Sequence, residues 1–147
     1  MNARLWKPGN EIVVDESICR YQGRNNAKTK IPNKPTPEGF KIWVLAQLGF
    51  FICWNFYRPG KKYGPVDVRV SKELGQNKTQ GVLAKLVKRL PGKGYHIVGD
   101  NLFTSNKLVE YKVSEGNGYT GTCRTNSGIA AELVEKKKAD KGKNEYP

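Results

Sequence analysis

Residues 40–54, FKIWVLAQLGFFICW, form the most apolar stretch of the chain and constrain its fold most. The run holds Lys41, Gln47 and Gly49, alternates in part, and is rich in β-branched and aromatic residues. Those features suit strands better than a membrane-crossing helix. Gly49 divides the run, which predicts two strands over 41–48 and 51–57, with Arg58-Pro59-Gly60 ending the second.

The rest of the chain reads around that pair. EIVVDESICRY, from Glu11, places Ile12, Val14 and Ile18 on one parity and Val13, Asp15, Ser17 and Cys19 on the other, as a strand would. GRNNAKTKIPNKPTPEG is a basic, Pro-rich connector, and residues 60–77 read as a loop in which 66–70 add at most a short edge. QGVLAKLVKRL carries Val82, Leu83, Leu86, Val87 and Leu90 at helical spacing, with Lys85, Lys88 and Arg89 opposite, and Pro91-Gly92 as its stop. YHIVGDN is a short strand ending on a carboxylate. TSNKLVEYKVSEG is a second helix with a stripe of Leu108, Val109 and Val113, and GYTGTCRT is a last strand. IAAELVEKKKADKGK begins helical and passes into charge. Three strands followed by alternating helices and strands predict an α/β fold, a mixed sheet with helices packed on it, within one domain.

Charge points to the partner. Twenty-six Lys and Arg against thirteen Asp and Glu leave +13 over 147 residues, a balance expected of a chain that meets a polyanion. The opening MNARLWKPGNE turns polar too soon for a signal peptide, and no membrane partner is expected. Cys19, Cys53 and Cys123 are widely spaced without a C-x-x-C pair, which excludes a disulfide scaffold or zinc knuckle and suits a reducing compartment. His96 is the lone histidine, so no His-based metal site can form.

Asp15 and Asp100 are the residues to weigh for chemistry. Asp15 interrupts a strand of Ile and Val, where a buried carboxylate would be costly without a partner or metal. Asp100 closes an apolar strand at the point where ligand groups gather in open α/β sheets. If the first and fourth strands are neighbours, the two carboxylates converge and suit a hard divalent ion such as Mg²⁺. The alternative is a solvated Asp15 and a turn-forming Asp100. Glu16 and Asn101 are candidate outer partners or ordinary polar neighbours, and Asp67 has no assigned role. For DNA, Arg20, Arg24, Lys28, Lys30 and Lys34 in the connector and the polar face of the first helix are placed to touch phosphates. Trp43, Trp54, Tyr57 and Tyr63 are candidates for base stacking, with Trp43 and Trp54 expected in the core instead.

Four strings carry a resemblance: PGNEIVVDESICRYQGR, IPNKPTPEGFKIWVL, YHIVGDNLFTSNKLVE and GYTGTCRTNSG. In identity, order and spacing they resemble the piggyBac-type transposases and the host proteins derived from them, over about residues 7–133, with 134–147 a charged tail of a partial domain spanning 1–147. The resemblance implies a ribonuclease-H-like, mixed five-stranded sheet with flanking helices, incomplete at the C-terminus. It implies an Asp-Asp-Asp site using Mg²⁺ (or Mn²⁺) that cleaves double-stranded DNA, forms hairpins through the freed 3′-hydroxyl and rejoins strands at TTAA targets. Asp15 and Asp100 match the first two carboxylates. The family's third lies past an inserted region beyond GYTGTCRT, and the one later aspartate, Asp140, lies in a charged run. The family's cysteine-rich zinc tail and its dimerisation segments have no counterpart here. Three functions follow, the first two being a transposase-derived DNA-binding chain, inactive alone and located in the nucleus, and a non-catalytic DNA-binding module. An active segment of a longer chain, completed by self-association or a full-length transposase partner, is the third.

Overall fold

The computed structural model describes residues 5–32, 35–58, 64–66, 68, 77–92 and 94–140. Its strands are β1 (Glu11–Arg20), β2 (Thr29–Lys30), β3 (Glu38–Gln47), β4 (Phe50–Arg58), β5 (Gly64–Pro65), β6 (His96–Gly99) and β7 (Gly118–Gly121). Its helices are α1 (Lys78–Val87), α2 (Asn106–Ser114) and α3 (Ala131–Asp140). All seven strands join one sheet in the order β5-β4-β3-β1-β6-β7, with β2 also on β3. The five expected strands are therefore present, and two further two-residue strands extend the sheet. One of these, β2, lies inside the connector read as loop; it pairs Thr29 with Gly39 and Lys30 with Glu38.

β1, β3 and β4 are antiparallel neighbours, whereas β6 lies parallel to β1 and β7 parallel to β6. Parallel neighbours need crossovers, and α1 and α2 provide them. Successive crossovers of one hand put both helices on one face, and one buried cluster indeed joins Val82, Leu83, Leu86 and Val87 of α1 with Leu108 of α2. Ile12 and Val14 of β1, Trp43 and Leu45 of β3, Ile52 and Cys53 of β4, and Ile97 of β6 complete it. Asn77 caps α1 in a reciprocal capping box with Gln80, and Ser105 caps α2. α1 ends at Val87, one turn before the Pro91-Gly92 stop. α3 runs to Asp140, past the point where the charged tail is expected, and buries no residue.

The opposite face of the sheet is covered by no described helix. In β1, Ile12 and Val14 are buried while Val13 is 43% exposed and Asp15 is exposed too. Asp15 is therefore not the buried carboxylate that its Ile and Val neighbours suggest: alternation sends it to the open face. Val44 pairs with Trp54 and Ile42 with Phe56, so Trp54 and Phe56 also belong to that face, at 37% and 52% exposure. Trp43 is core, as expected, but Trp54 is not.

Candidate carboxylate site on the open sheet face

The register of β1 and β6 brings the two aspartates together. Val13 pairs with Val98 and Val14 with Gly99. The next residue of each chain segment is Asp15 and Asp100, on strands about 4.8 Å apart. In a parallel pair, neighbours in register project to the same side, so both carboxylates share the open face with Val13 and Val98.

Asp100 is held from several directions. Its carbonyl accepts the Phe103 and Thr104 amides at 3.2 and 3.1 Å and the Thr104 hydroxyl at 2.7 Å. Its Oδ1 accepts the Leu102 amide at 2.9 Å, which leaves Oδ2 without a bond to a described residue. Behind this turn, Tyr119 Oη lies 3.0 Å from Thr104 Oγ1, and burial pushes the Tyr119 phenol up, with the charge of Asp100 adding to the effect. His96, three residues before Gly99, meets Thr120 Oγ1 at 2.9 Å through Nε2. That side-chain contact on the open face is its role here, away from both aspartates in register.

The other expected neighbours lie elsewhere. Glu16 turns to the helix-covered side, where it meets Lys41 at 2.5 Å, and Lys41 in turn stands 4.2 Å over the Trp43 ring. Strand parity removes it from the Asp15 carboxylate. Asn101 instead lines a polar cavity of about 670 Å³ with Gln80, Ser105, Lys107, Glu110 and Arg124, and neither Asp15 nor Asp100 borders that cavity.

Of the basic residues, Arg20 and Arg24 are exposed. Lys28 and Lys30 meet the single carboxylate of Glu38 at 3.2 and 3.4 Å, and these contacts hold Glu38 below its usual range. Arg89, two residues past the end of α1, donates to the Trp54 carbonyl at 2.9 Å, so part of the basic surface expected on the first helix is committed to β4. Tyr57 packs edge-on against Trp43 at 6.4 Å and is half-buried. Cys53 is buried, its thiol pushed up by desolvation, whereas Cys19 is exposed. Lys34, Tyr63 and Asp67 lie outside the described residues.

As donors, two exposed carboxylates that each follow the last register pair of β1 and β6 fit Mg²⁺, which is commonly held by one or two carboxylates with water and substrate oxygens completing the shell. Among the described residues no third His, Cys, Asp or Glu joins them. The sequence matches the family described as Transposase IS4 over residues 1–146. The chain belongs to that family. Human PiggyBac transposable element-derived protein 3 is 33% identical over 75% of this transposase-family chain. Human PiggyBac transposable element-derived protein 2 is 32% identical over 74% of it. In each case the matched part is 18% of the relative. A piggyBac transposase solved by cryo-EM as a synaptic complex with hairpin DNA superimposes with a TM-score of 0.65 at 26% identity, covering 88% of this chain and 26% of that one. The piggyBac-type resemblance and the ribonuclease-H-like fold expected from it both hold. DNA transposition is the ancestry of the chain, and divalent-metal-dependent catalysis is general to transposases of this kind.

Proposed function

We propose that this chain is the part of a piggyBac-type transposase domain that supplies two metal-binding carboxylates, Asp15 and Asp100, and that it binds double-stranded DNA in the nucleus. The observation that supports the reading is the parallel register of β1 and β6, whose last pair, Val14 and Gly99, immediately precedes the two aspartates. The ion, Mg²⁺ or Mn²⁺, would supply a stabilised hydroxyl nucleophile and charge compensation at the leaving oxygen. The chain's own contribution is to present Asp15 from a rigid central strand and Asp100 from a clamped turn. Exposed Arg20 and Arg24 contact backbone phosphates.

Because two carboxylates alone complete fewer ligand positions than an Asp-Asp-Asp site, the residues 1–147 bind metal and DNA without cleaving it. A third donor comes from a longer chain or from a partner copy. The open face, with Trp54 and Phe56 exposed, is where such a segment has room to pack. The competing reading, a DNA-binding module that uses no metal, differs in one measurable respect. Mn²⁺ titration of the wild-type chain beside Asp100→Asn, with nicking of a labelled TTAA-containing duplex followed in the same samples, separates the two. Binding at least tenfold weaker in the variant, with no nicking by either, is the expected result. A folded wild-type chain that takes up no Mn²⁺ would leave the non-metal module standing. Nicking lost in the variant would show instead that the two carboxylates already make a working site.

A further inference from the structure

Asp100 lies one residue past the end of β6, where the turn that leads into α2 begins. What fixes it is Thr104, which is 6% exposed and meets Asp100 twice: the amide at 3.1 Å and the hydroxyl at 2.7 Å, both on the Asp100 carbonyl. The Thr104 hydroxyl has one proton, given to that carbonyl, so at 3.0 Å it accepts from the Tyr119 phenol. Tyr119 reaches this point from β7 because Ile97 is its register partner and the following residue on that face is Gly99. A Cβ at Gly99 would strike the Tyr119 hydroxyl, and one at Gly121 would come to 2.5 Å from both the Gly99 carbonyl and Thr104 Oγ1. Two glycines thus clear the space in which the two hydroxyls meet. The closed turn also aims the Leu102 amide at Asp100 Oδ1.

We infer that Tyr119 and Thr104 form a two-hydroxyl relay that positions the Asp100 carboxylate for a divalent cation. Neither residue touches the ion; both are positioning residues, and the inference rests on the metal reading proposed above. Groups that orient a metal's ligands typically account for ten- to hundredfold in metal affinity. The relay joins β7 to the turn that leads into α2, so the metal site depends on an edge strand that contributes no carboxylate to it.

The test is Mn²⁺ binding by the whole chain, read from the loss of the free-ion electron paramagnetic resonance signal, with thermal melts alongside. Thr104→Val is expected to weaken binding about tenfold, because it removes the bond to the Asp100 carbonyl while retaining shape. Thr104→Ser restores the hydroxyl and should return affinity to within about twofold of wild type. Tyr119→Phe removes only the outer member of the relay and should give an intermediate loss, which keeps the inference testable if the valine variant folds poorly. A merely structural role would lower the melting temperature in Thr104→Val and leave the Mn²⁺ affinity of the folded protein unchanged; that result overturns the relay. Asp15→Asn and Asp100→Asn supply the distinguishing arm. If they bind Mn²⁺ as wild type does, the metal site itself is wrong and the relay falls with it. If they lose binding while Thr104→Val and Tyr119→Phe keep it, the site stands and the relay alone is refuted.

Discussion

Lys112 has no exposed side-chain surface, yet it ends in an ammonium that must be paired somewhere. It donates to Glu115 at 2.7 Å, and Tyr111 donates to the other oxygen of the same carboxylate at 2.6 Å. Burial lowers the Lys112 ammonium, while Glu115 pulls it back. Burial works to raise Glu115, but the bonds from Lys112 and Tyr111 together bring it below its usual value. The same carboxylate pushes the Tyr111 phenol up to about 12. Leaving the fully buried ammonium unpaired costs more than leaving the carboxylate unpaired, because the Glu115 side chain keeps 30% of its surface in solvent and its bond from Tyr111. Glu115→Ala should therefore cost about 3 kcal/mol in urea unfolding, and Lys112→Met less than about 1.5 kcal/mol. A carboxylate depressed in the folded state stabilises above its unfolded value of 4.5 and loses that contribution as pH falls through the folded value. The acid limb of the stability profile below pH 4.5 should accordingly be shallower in Glu115→Ala than in wild type. This cluster was not legible in the sequence. The stripe expected on α2 is Leu108, Val109 and Val113, whereas the helix buries Leu108 and Lys112 and leaves Val113 exposed. A lysine's methylene stem packs as an apolar group, and only the neighbouring carboxylate and phenol make its burial tolerable.

At the scale of elements, the β3–β4 hairpin shows what alternation reveals and what it hides. Gln47 pairs with Phe50, so Leu48 and Gly49 alone form the turn, with φ of 49° and 79°. Two-residue turns of this kind need left-handed backbone at both positions, for which Asn-Gly is favoured and leucine is strained by about 1 kcal/mol. Leu48 is 91% exposed and contributes little packing to offset this. Leu48→Asn should raise stability by about 1 kcal/mol, seen as a higher denaturant midpoint at unchanged slope; a loss would mean that Leu48 is buried in the working protein. Gly49 marked the turn in the sequence, and the apolar runs marked both strands. The facing of β4 was hidden because FFICWNFY is apolar on both parities, and only pairing with β3, shifted by an irregularity at Leu45/Ala46, assigns Trp54 outward. The two-residue strand β2 was hidden for another reason: its pairing is nonlocal and its sequence is that of a Pro-rich loop. The carboxylate pair was half legible. Each Asp stood out at its strand, but that the two follow one register pair depended on β6 lying beside β1, which local pattern does not encode.

The whole molecule carries +13, and its distribution decides which part of that charge can meet DNA. Each phosphate neutralised by a protein cation releases counterions, so the logarithm of duplex affinity falls with the logarithm of salt by about 0.9 per contact. Lys28 and Lys30 already share Glu38, whereas Arg20 and Arg24 are exposed with no ion pair to a described residue. A guanidinium also meets phosphate through a planar fork that an ammonium lacks. The expected outcome is that Arg20→Ala with Arg24→Ala lowers the salt slope by roughly two and weakens duplex binding at every sequence tested. Lys28→Ala with Lys30→Ala should lower it by less than about one, because those charges are spent within the connector. Fluorescence anisotropy of a labelled duplex between about 50 and 200 mM salt measures both. Equal slopes for the two double variants would mean that Glu38 releases its lysines to DNA, and Glu38→Gln should then tighten duplex binding with the slope unchanged. An unchanged slope in both would move the DNA contact off the connector. The remaining basic run, Lys136, Lys137 and Lys138 on the exposed helix α3, would then be the surface to remove next.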